Sequence, residues 1–307
     1  MKRASFLPGY RIGHASDSGR RTGCTVILPP AGTIAAVEVR GGAPGTRETG
    51  VFTPGNLVSQ IDGLLFTGGS AFGLAAATGV MAWLRREGVG FRVGEAKVPI
   101  VAGAVIFDLA VGDPYAFPDA AMGEAACRAA SEGLVEIGAV GAGCGATVGK
   151  LLGVGRSSPG GVGAAAVSLP GGESVAALAV VNSFGDVVDP ETGEILAGPA
   201  GAAGPIRTAR ALIEESLAPT PSPGGNTTLV CVATTVPFEP GALKRVAIEA
   251  HDGIARAVRP SHSVVDGDVV FALSPAGPPP DLTLRLRIGA AAAEAVARAV
   301  VAAVRAR

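Results

Sequence analysis

Gly224-Gly225-Asn226-Thr227-Thr228-Leu229-Val230-Cys231-Val232-Ala233-Thr234-Thr235 is the stretch on which the reading of this chain turns. A Pro/Ser/Gly-rich run from Ala218 to Gly225 stops abruptly, and a segment full of β-branched residues begins. The first part reads as a flexible connection and the second as a strand entering a core. A Thr at the first residue of a buried strand, straight after an exposed loop, suits one chemistry. If the Asn226–Thr227 bond were cut, Thr227 would carry both a hydroxyl nucleophile and a free α-amine. An α-amine titrates near neutrality, at roughly pH 7.7–8.0 in model peptides, so it can act as the hydroxyl's own general base. Taken alone, the stretch is equally readable as an ordinary strand entry with a polar turn residue. The rest of the chain decides.

The 307 residues suffice for one large domain or two ordinary ones. Hydrophobic residues make up 48% and charged residues 17%, which allows a large buried core. The 46 glycines and 23 prolines imply many turns and close backbone contacts, but they are spread out, so this is no low-complexity chain. A formal net charge of −1 without long charged blocks argues against nucleic acid or an anionic membrane as partner. The basic N-terminus has no apolar segment behind it, and no run of about 18 apolar residues suggests a membrane span. Cys24, Cys127, Cys144 and Cys231 show no C-x-x-C pairing and read as reduced thiols used as small apolar residues. A cytoplasmic protein is the expectation.

Upstream, Cys24 to Leu28 and Thr33 to Arg40 read as strands joined by Pro29-Pro30-Ala31-Gly32. Arg40 to Thr49 is a loop, and Asn56 to Ile61 a short helix. Leu64-Leu65-Phe66 runs into Thr67-Gly68-Gly69-Ser70. Leu74, Ala77, Met81 and Leu84 then recur at helical spacing, giving a helix over Ala71 to Arg86 capped by Ser70. Strands follow at Gly90 to Val93 and Ile100 to Leu109, and a helix at Pro118 to Glu132. Short strands with glycine turns fill residues 133–198, and a third helix covers about 205–217. Beyond Thr235 come a helix over Pro240 to Val258 and a strand over Val264 to Leu273 interrupted by Asp266-Gly267-Asp268. An extended Leu282 to Ile288 and an amphipathic helix over Ala290 to Arg307 end the chain. Helices grouped around long stretches of strand favour a layered α+β arrangement over regular βαβ alternation.

Four motifs bear on chemistry. Gly145 to Leu151 misses a phosphate-binding loop, because Cys144 replaces the first Gly and Leu151 the Ser/Thr that would hold magnesium. Its Lys150 is the only charge between Glu136 and Arg156, so it either snorkels to solvent or is held against carboxylates. His14, His251 and His262 lack metal-ligand spacing and read as helical or surface residues. In Asp266-Gly267-Asp268, a strand would put both carboxylates on one face, where burial would raise one pKa. The other reading is a solvent-exposed Asp-Gly turn. With Lys150 as counter-charge and Thr227 needing a proton relay, the buried reading gains.

Several of these pieces resemble the DmpA-type aminopeptidases, self-processing amidohydrolases that include β-peptide aminopeptidases and nylon-oligomer hydrolases. Those carrying the resemblance are Gly13-His14-Ala15, Thr22 to Val26, Arg40 to Thr49, Leu65 to Leu74, Pro99 to Leu109, Gly145 to Leu152, Val181 to Gly198, Asn226 to Thr234 and Asp266 to Leu273. They run almost end to end in a consistent order. The resemblance implies an αββα layered sandwich, shared with ornithine acetyltransferases. It also implies a precursor of one domain, 1–307, that cuts itself at Asn226–Thr227 into an α chain (1–226) and a β chain (227–307). Members assemble as tetramers of αβ units, so a homo-oligomer acting on a small peptide or amide is expected.

By the same resemblance Thr227 is the nucleophile, Asp266 and Asp268 are the acidic pair beside it, and Lys150 and Asn182 complete the site, with no metal or organic cofactor. Thr at the cut and Asp at both acidic positions are closer to the nylon-hydrolase branch than to the Ser-nucleophile peptidases. Phe107 stands where several members have a Tyr that helps hold the oxyanion, which leaves Asn182 and backbone N–H groups for that task. The alternatives are an acyltransferase on the same scaffold and an uncleaved, non-catalytic family member.

Overall fold

Alternation decides where the Thr227 strand sits. Leu229, Cys231 and Ala233 point into one apolar cluster, Val230 and Val232 into another. A strand apolar on both faces belongs in the middle of stacked layers. The computed structural model, which describes residues 2–201, 204–214 and 225–306, places it there.

The strands of the two main sheets are, in chain order, β1 (Arg11–Asp17), β2 (Thr22–Leu28), β3 (Thr33–Val39), β4 (Thr46–Arg47) and β5 (Gly63–Thr67), then β6 (Val101–Val105), β7 (Gly161–Ser168), β8 (Ser174–Asn182), β9 (Thr227–Thr234) and β10 (Val269–Pro275). The helices are α1 (Ala76–Arg86), α2 (Ala120–Ala129), α3 (Thr208–Ile213), α4 (Pro240–Ala257) and α5 (Leu282–Arg305). One five-stranded sheet has the order β1-β2-β5-β6-β4, the other β7-β8-β9-β10-β3. Neighbours are antiparallel except β5–β6 and β9–β10.

Ile27, Leu64, Phe66, Leu178, Leu229 and Phe271 fill the space between the sheets. Helices α1 and α2 cover the outer face of the first sheet through Val26, Leu65, Val80 and Cys127. Helices α4 and α5 cover the second through Val230, Val270, Leu243, Ile254 and Val296. The layers therefore run helix, sheet, sheet, helix, as the α+β sandwich reading expects. Glycine permits the tight contacts: a Cβ on Gly79 of α1 would lie 1.8 Å from Ala120 O, and one on Gly123 of α2 2.1 Å from Ala76 O. Among the described residues no helix is long and apolar enough to cross a membrane.

Five local expectations change. Asn56 to Ile61 is not helical; Asn56 Nδ2 donates to Gly50 O at 2.8 Å, and Ala35 N and Ile61 N tie the segment to the start of β3. A side chain bonded to nearby backbone competes with helix formation. Ser70 does not cap the following helix: it has φ 53°, follows Gly69 at φ 77°, and leads a 3₁₀ turn (Ser70–Ala75) before α1. Leu282 to Ile288 is not extended but forms the first turns of α5, started by Asp281, whose carboxylate accepts from Leu284 N at 2.9 Å. The strand expected from Val264 begins only at Val269. The third helix starts at Thr208; its expected end, like the Ala218 to Gly224 part of the flexible run, lies outside the described residues.

Candidate active site

Strand β10 begins at Val269 opposite Leu229, so the chain just before Leu229 extends past its parallel neighbour. The turn Asp266-Gly267-Asp268 fills that gap. Asn226 and Asp266 form a parallel bridge, and Thr228 N donates to Asp268 Oδ1 at 2.6 Å. On the other side β8 pairs Asn182 with Thr227 directly. Residues opposite each other in an antiparallel pair share a face. Even-numbered Ala176, Leu178 and Val180 and odd-numbered Leu229 and Cys231 line the inter-sheet space, so Asn182 and Thr227 stand together at its rim.

The loop from Arg40 crosses over this turn. Arg40 N and Gly41 N donate to Asp268 O, and Ala43 N to Asp266 O at 2.8 Å. A Cβ on Gly41 would lie 2.3 Å from Asp268 N, so the glycine lets the loop lie flat against it.

Thr227 is buried, and its Oγ1 donates to the carbonyl oxygen of Asn226 at 2.5 Å. The same oxygen accepts Gly267 N–H at 2.8 Å. One residue upstream, Gly225 O accepts from Lys150 Nζ at 3.0 Å and from Asn182 Nδ2 at 3.2 Å. The carbonyls on the N-terminal side of the Asn226–Thr227 bond are thus each held by two donors.

Lys150 is 2% exposed and does not snorkel. Its remaining bonds go to Asn182 O at 2.7 Å and Asn182 Oδ1 at 2.8 Å, and Asn182 Oδ1 also accepts from Thr147 N at 2.9 Å. It makes no ion pair with Asp266 or Asp268 among the described residues; its partners are amide oxygens. Burial pushes its pKa down to about 7, against the opposing pull of the charges on Asp266 and Asp108.

Asp266 and Asp268, each 1% exposed, do not converge as a strand would make them. Asp266 accepts from Phe184 N at 3.2 Å, Ser263 N at 3.1 Å and the Ser263 hydroxyl. Asp268 accepts from Thr228 N and from both nitrogens offered by His262. Each carboxylate therefore holds backbone around Thr227, and neither bonds the Thr227 hydroxyl. Burial raises the Asp266 pKa, and the neighbouring Asp268 charge adds to the rise. Phe107 is half-buried, and its carbonyl accepts from Asn182 Nδ2 at 3.3 Å. Next to it, buried Asp108 accepts from Gly69 N at 2.7 Å, and burial raises its pKa. Among the described residues no group of three or more His, Cys, Asp or Glu is placed to hold a metal ion.

The structure thus gathers Thr227, Asn226, Asn182, Lys150, the Phe107 backbone and the Asp266–Asp268 turn at one end of the sandwich. It adds Gly267 N–H, Ser263 and His262, which sequence reasoning missed. The buried Asp-Gly-Asp reading was the signal for Gly267; none pointed to His262 beyond its place four residues before Asp266.

Residues 7–307 match peptidase family S58. The chain belongs to peptidase family S58. An uncharacterised aminopeptidase of Mycobacterium tuberculosis is 44% identical, covering 99% of this chain and 94% of the relative. A 6-aminohexanoate-oligomer endohydrolase of Agromyces is 34% identical, covering 89% of this chain and 75% of the relative. Among solved structures, a Burkholderia β-aminopeptidase superposes with a TM-score of 0.71 at 25% identity, covering 98% of this chain and 85% of that one. The L-aminopeptidase D-Ala-esterase/amidase of Ochrobactrum anthropi, described as a variant of the Ntn-hydrolase fold, gives 0.74 at 20% identity, covering 98% and 85%. The resemblance to DmpA-type aminopeptidases therefore holds, and this S58 member is a hydrolase of peptide bonds on an Ntn-like layered fold.

Proposed function

We propose that this S58 hydrolase is a self-processing amidohydrolase whose nucleophile is Thr227, freed as an N-terminus by its own attack on Asn226. The observation that carries the reading is the scissile carbonyl itself. Its oxygen receives both the Thr227 hydroxyl and the Gly267 N–H, while Lys150 and Asn182 clamp the carbonyl before it. A rotation about the Thr227 side chain brings Oγ1 from the oxygen to the carbon. Oγ1 adds to that carbon, negative charge grows on the oxygen facing Gly267 N–H, and the C–N bond breaks. The hydroxyl proton ends on the new Thr227 amine, leaving an ester that water hydrolyses. The products are an α chain, 1–226, and a β chain, 227–307.

In the mature enzyme the Thr227 α-amine is the base, and the hydroxyl attacks the amide of a small peptide or amino-acid amide. Water then releases the acyl group. Asn182, facing Thr227 across the ladder, and Gly267 N–H are the donors offered to the oxyanion, a task in which Phe107 lacks a side-chain donor. Asp266 and Asp268 keep the turn that carries Gly267 in place. Assembly as a tetramer of αβ units rests on the family resemblance, and a cytoplasmic location fits four buried, unpaired cysteines.

Intact mass and N-terminal sequencing of freshly purified protein test the reading. The wild type is expected to give a fragment beginning at Thr227, Thr227→Ser to give it more slowly, and Thr227→Ala to stay whole and inactive. A Thr227→Ala chain that still splits, or a wild type that stays intact in mild buffer, overturns it.

A further inference from the structure

His262 reads from the sequence as a helical or surface residue, but the structure puts it two bonds from the nucleophile's strand. Its backbone N–H and its ring Nδ1 both face one oxygen of Asp268, at 2.9 and 2.8 Å. The other oxygen of that carboxylate takes Thr228 N at 2.6 Å. We propose that His262 is a positioning residue for the reaction: it fixes the Asp268 carboxylate, and through it the backbone that aims the Thr227 hydroxyl. The inference rests on Thr227 as nucleophile.

Three observations carry it. His262 sits at φ 56°, in the left-handed region that a side chain other than glycine seldom adopts, and this turn is what lets one residue present both donors to one oxygen. Its ring is braced from behind by His251, whose ring lies 4.7 Å away edge-on at 76°. His251 is fully buried on α4 and anchored through Nε2 to Glu38 O at 3.1 Å, at the end of β3. Finally, Nε2 of His262 is buried without a partner among the described residues, whereas Nδ1 faces a carboxylate. The proton therefore belongs on Nδ1, and the ring acts as a donor to Asp268. A chain of contacts runs from Glu38 through His251 and His262 to Asp268 and Thr228, so β3 and α4 jointly brace the strand entry.

Asn and Gln distinguish a donor at the Nδ1 position from a ring that fills space. Asn carries its N–H where Nδ1 stands and tolerates the left-handed conformation; Gln carries it one atom further out. His262→Asn is expected to retain self-cleavage and kcat within a few-fold. His262→Gln is expected to lose about ten- to hundredfold in both, the cost of a hydrogen bond to a charged group, with KM little changed. If His262 acts through Asp268, adding His262→Gln to Asp268→Asn produces no further loss.

Losses that multiply in the double variant, or an Asn variant as impaired as His262→Ala, overturn the proposal; the Asn–Ala comparison decides it even if the Gln variant does not fold. Asp268→Asn cleaving and turning over like wild type overturns Asp268 as an essential holder of the strand and this inference with it, while leaving Thr227, tested by Thr227→Ala, standing.

Discussion

Gly267 brings no side chain into the tight space between Thr227 and Ala43 of the Arg40–Thr49 loop. A Cβ there would lie 2.7 Å from Thr227 Oγ1 and 2.8 Å from Ala43 O. Gly267→Ala keeps the N–H but displaces the hydroxyl it faces. Self-cleavage should slow by at least about tenfold, since small misplacements of a reacting group cost that much or more. Stability should fall by about 1–3 kcal/mol from overpacking. Cleavage kinetics and urea unfolding check both, and wild-type cleavage in this variant would mean that the hydroxyl reacts from another position. At this scale the start of β9 at Thr227 was legible because composition breaks sharply at Gly225, and the burial of Asp266 and Asp268 because apolar residues flank them. The direction of the carboxylates was not, because it depends on β10 starting at Val269. The sequence leaves Lys150 either snorkelling or paired with carboxylates; carbonyl oxygens as partners leave no mark in a sequence, and neither does a backbone donor such as Gly267 N–H.

Helix α4 holds two glycines in opposite circumstances. Gly241, in its first turn, has nothing within 4 Å of an added Cβ, whereas at Gly253 that atom would meet Ala293 O of α5 at 2.2 Å. Gly241→Ala is therefore expected to stabilise the protein by about 0.4–1 kcal/mol, by restricting the unfolded chain and favouring helix. Gly253→Ala should destabilise it by about 1–3 kcal/mol by prising α4 from α5. Urea unfolding of both variants in the uncleaved Thr227→Ala background tests this; equal effects would mean that α4 and α5 leave room for a methyl group at Gly253. Elements were legible where period and burial agree, as in β9 and α4. They were not at the start of α5, where Leu282-Thr283-Leu284-Arg285-Leu286-Arg287-Ile288 alternates as a strand does. Leu282 and Leu286 are exposed, Leu284 packs on the core and Ile288 is buried, so the helical i, i+4 pair prevails over an apparent period of two. The Asp281 cap and the close passage of Gly289 by Glu249 of α4 settle that competition.

For the molecule as a whole, the layering followed from strands apolar on both faces, but which strand neighbours which did not, because pairing is set by contacts far apart in sequence. That topology buries Lys150 at the end of the sandwich, against Asn182 and Gly225, with a consequence for the stability of the entire fold. Burial lowers the Lys150 pKa from 10.5 to about 7. Above pH 7 the unfolded chain therefore binds a proton that the folded chain has released, and stability rises with pH by up to about 1.4 kcal/mol per unit. Other buried groups act elsewhere. His14 and His251, pushed down to about 4 by burial, complete their contribution below about pH 6.5. Asp186, raised to about 6 by burial, acts below pH 6 with the opposite sign. Above roughly pH 8 the four buried thiols, raised by burial, keep protons that unfolded thiols lose, and stability turns down. Four unfolded thiols together offset Lys150 near pH 8, so the window between pH 7 and about 7.5 is the one that Lys150 dominates. In the uncleaved Thr227→Ala background, urea unfolding should show stability climbing across that window, and adding Lys150→Met should flatten it. A flat profile before that second substitution would mean that the ammonium is not desolvated, and that its grip on Gly225 and Asn182 is made in the presence of water.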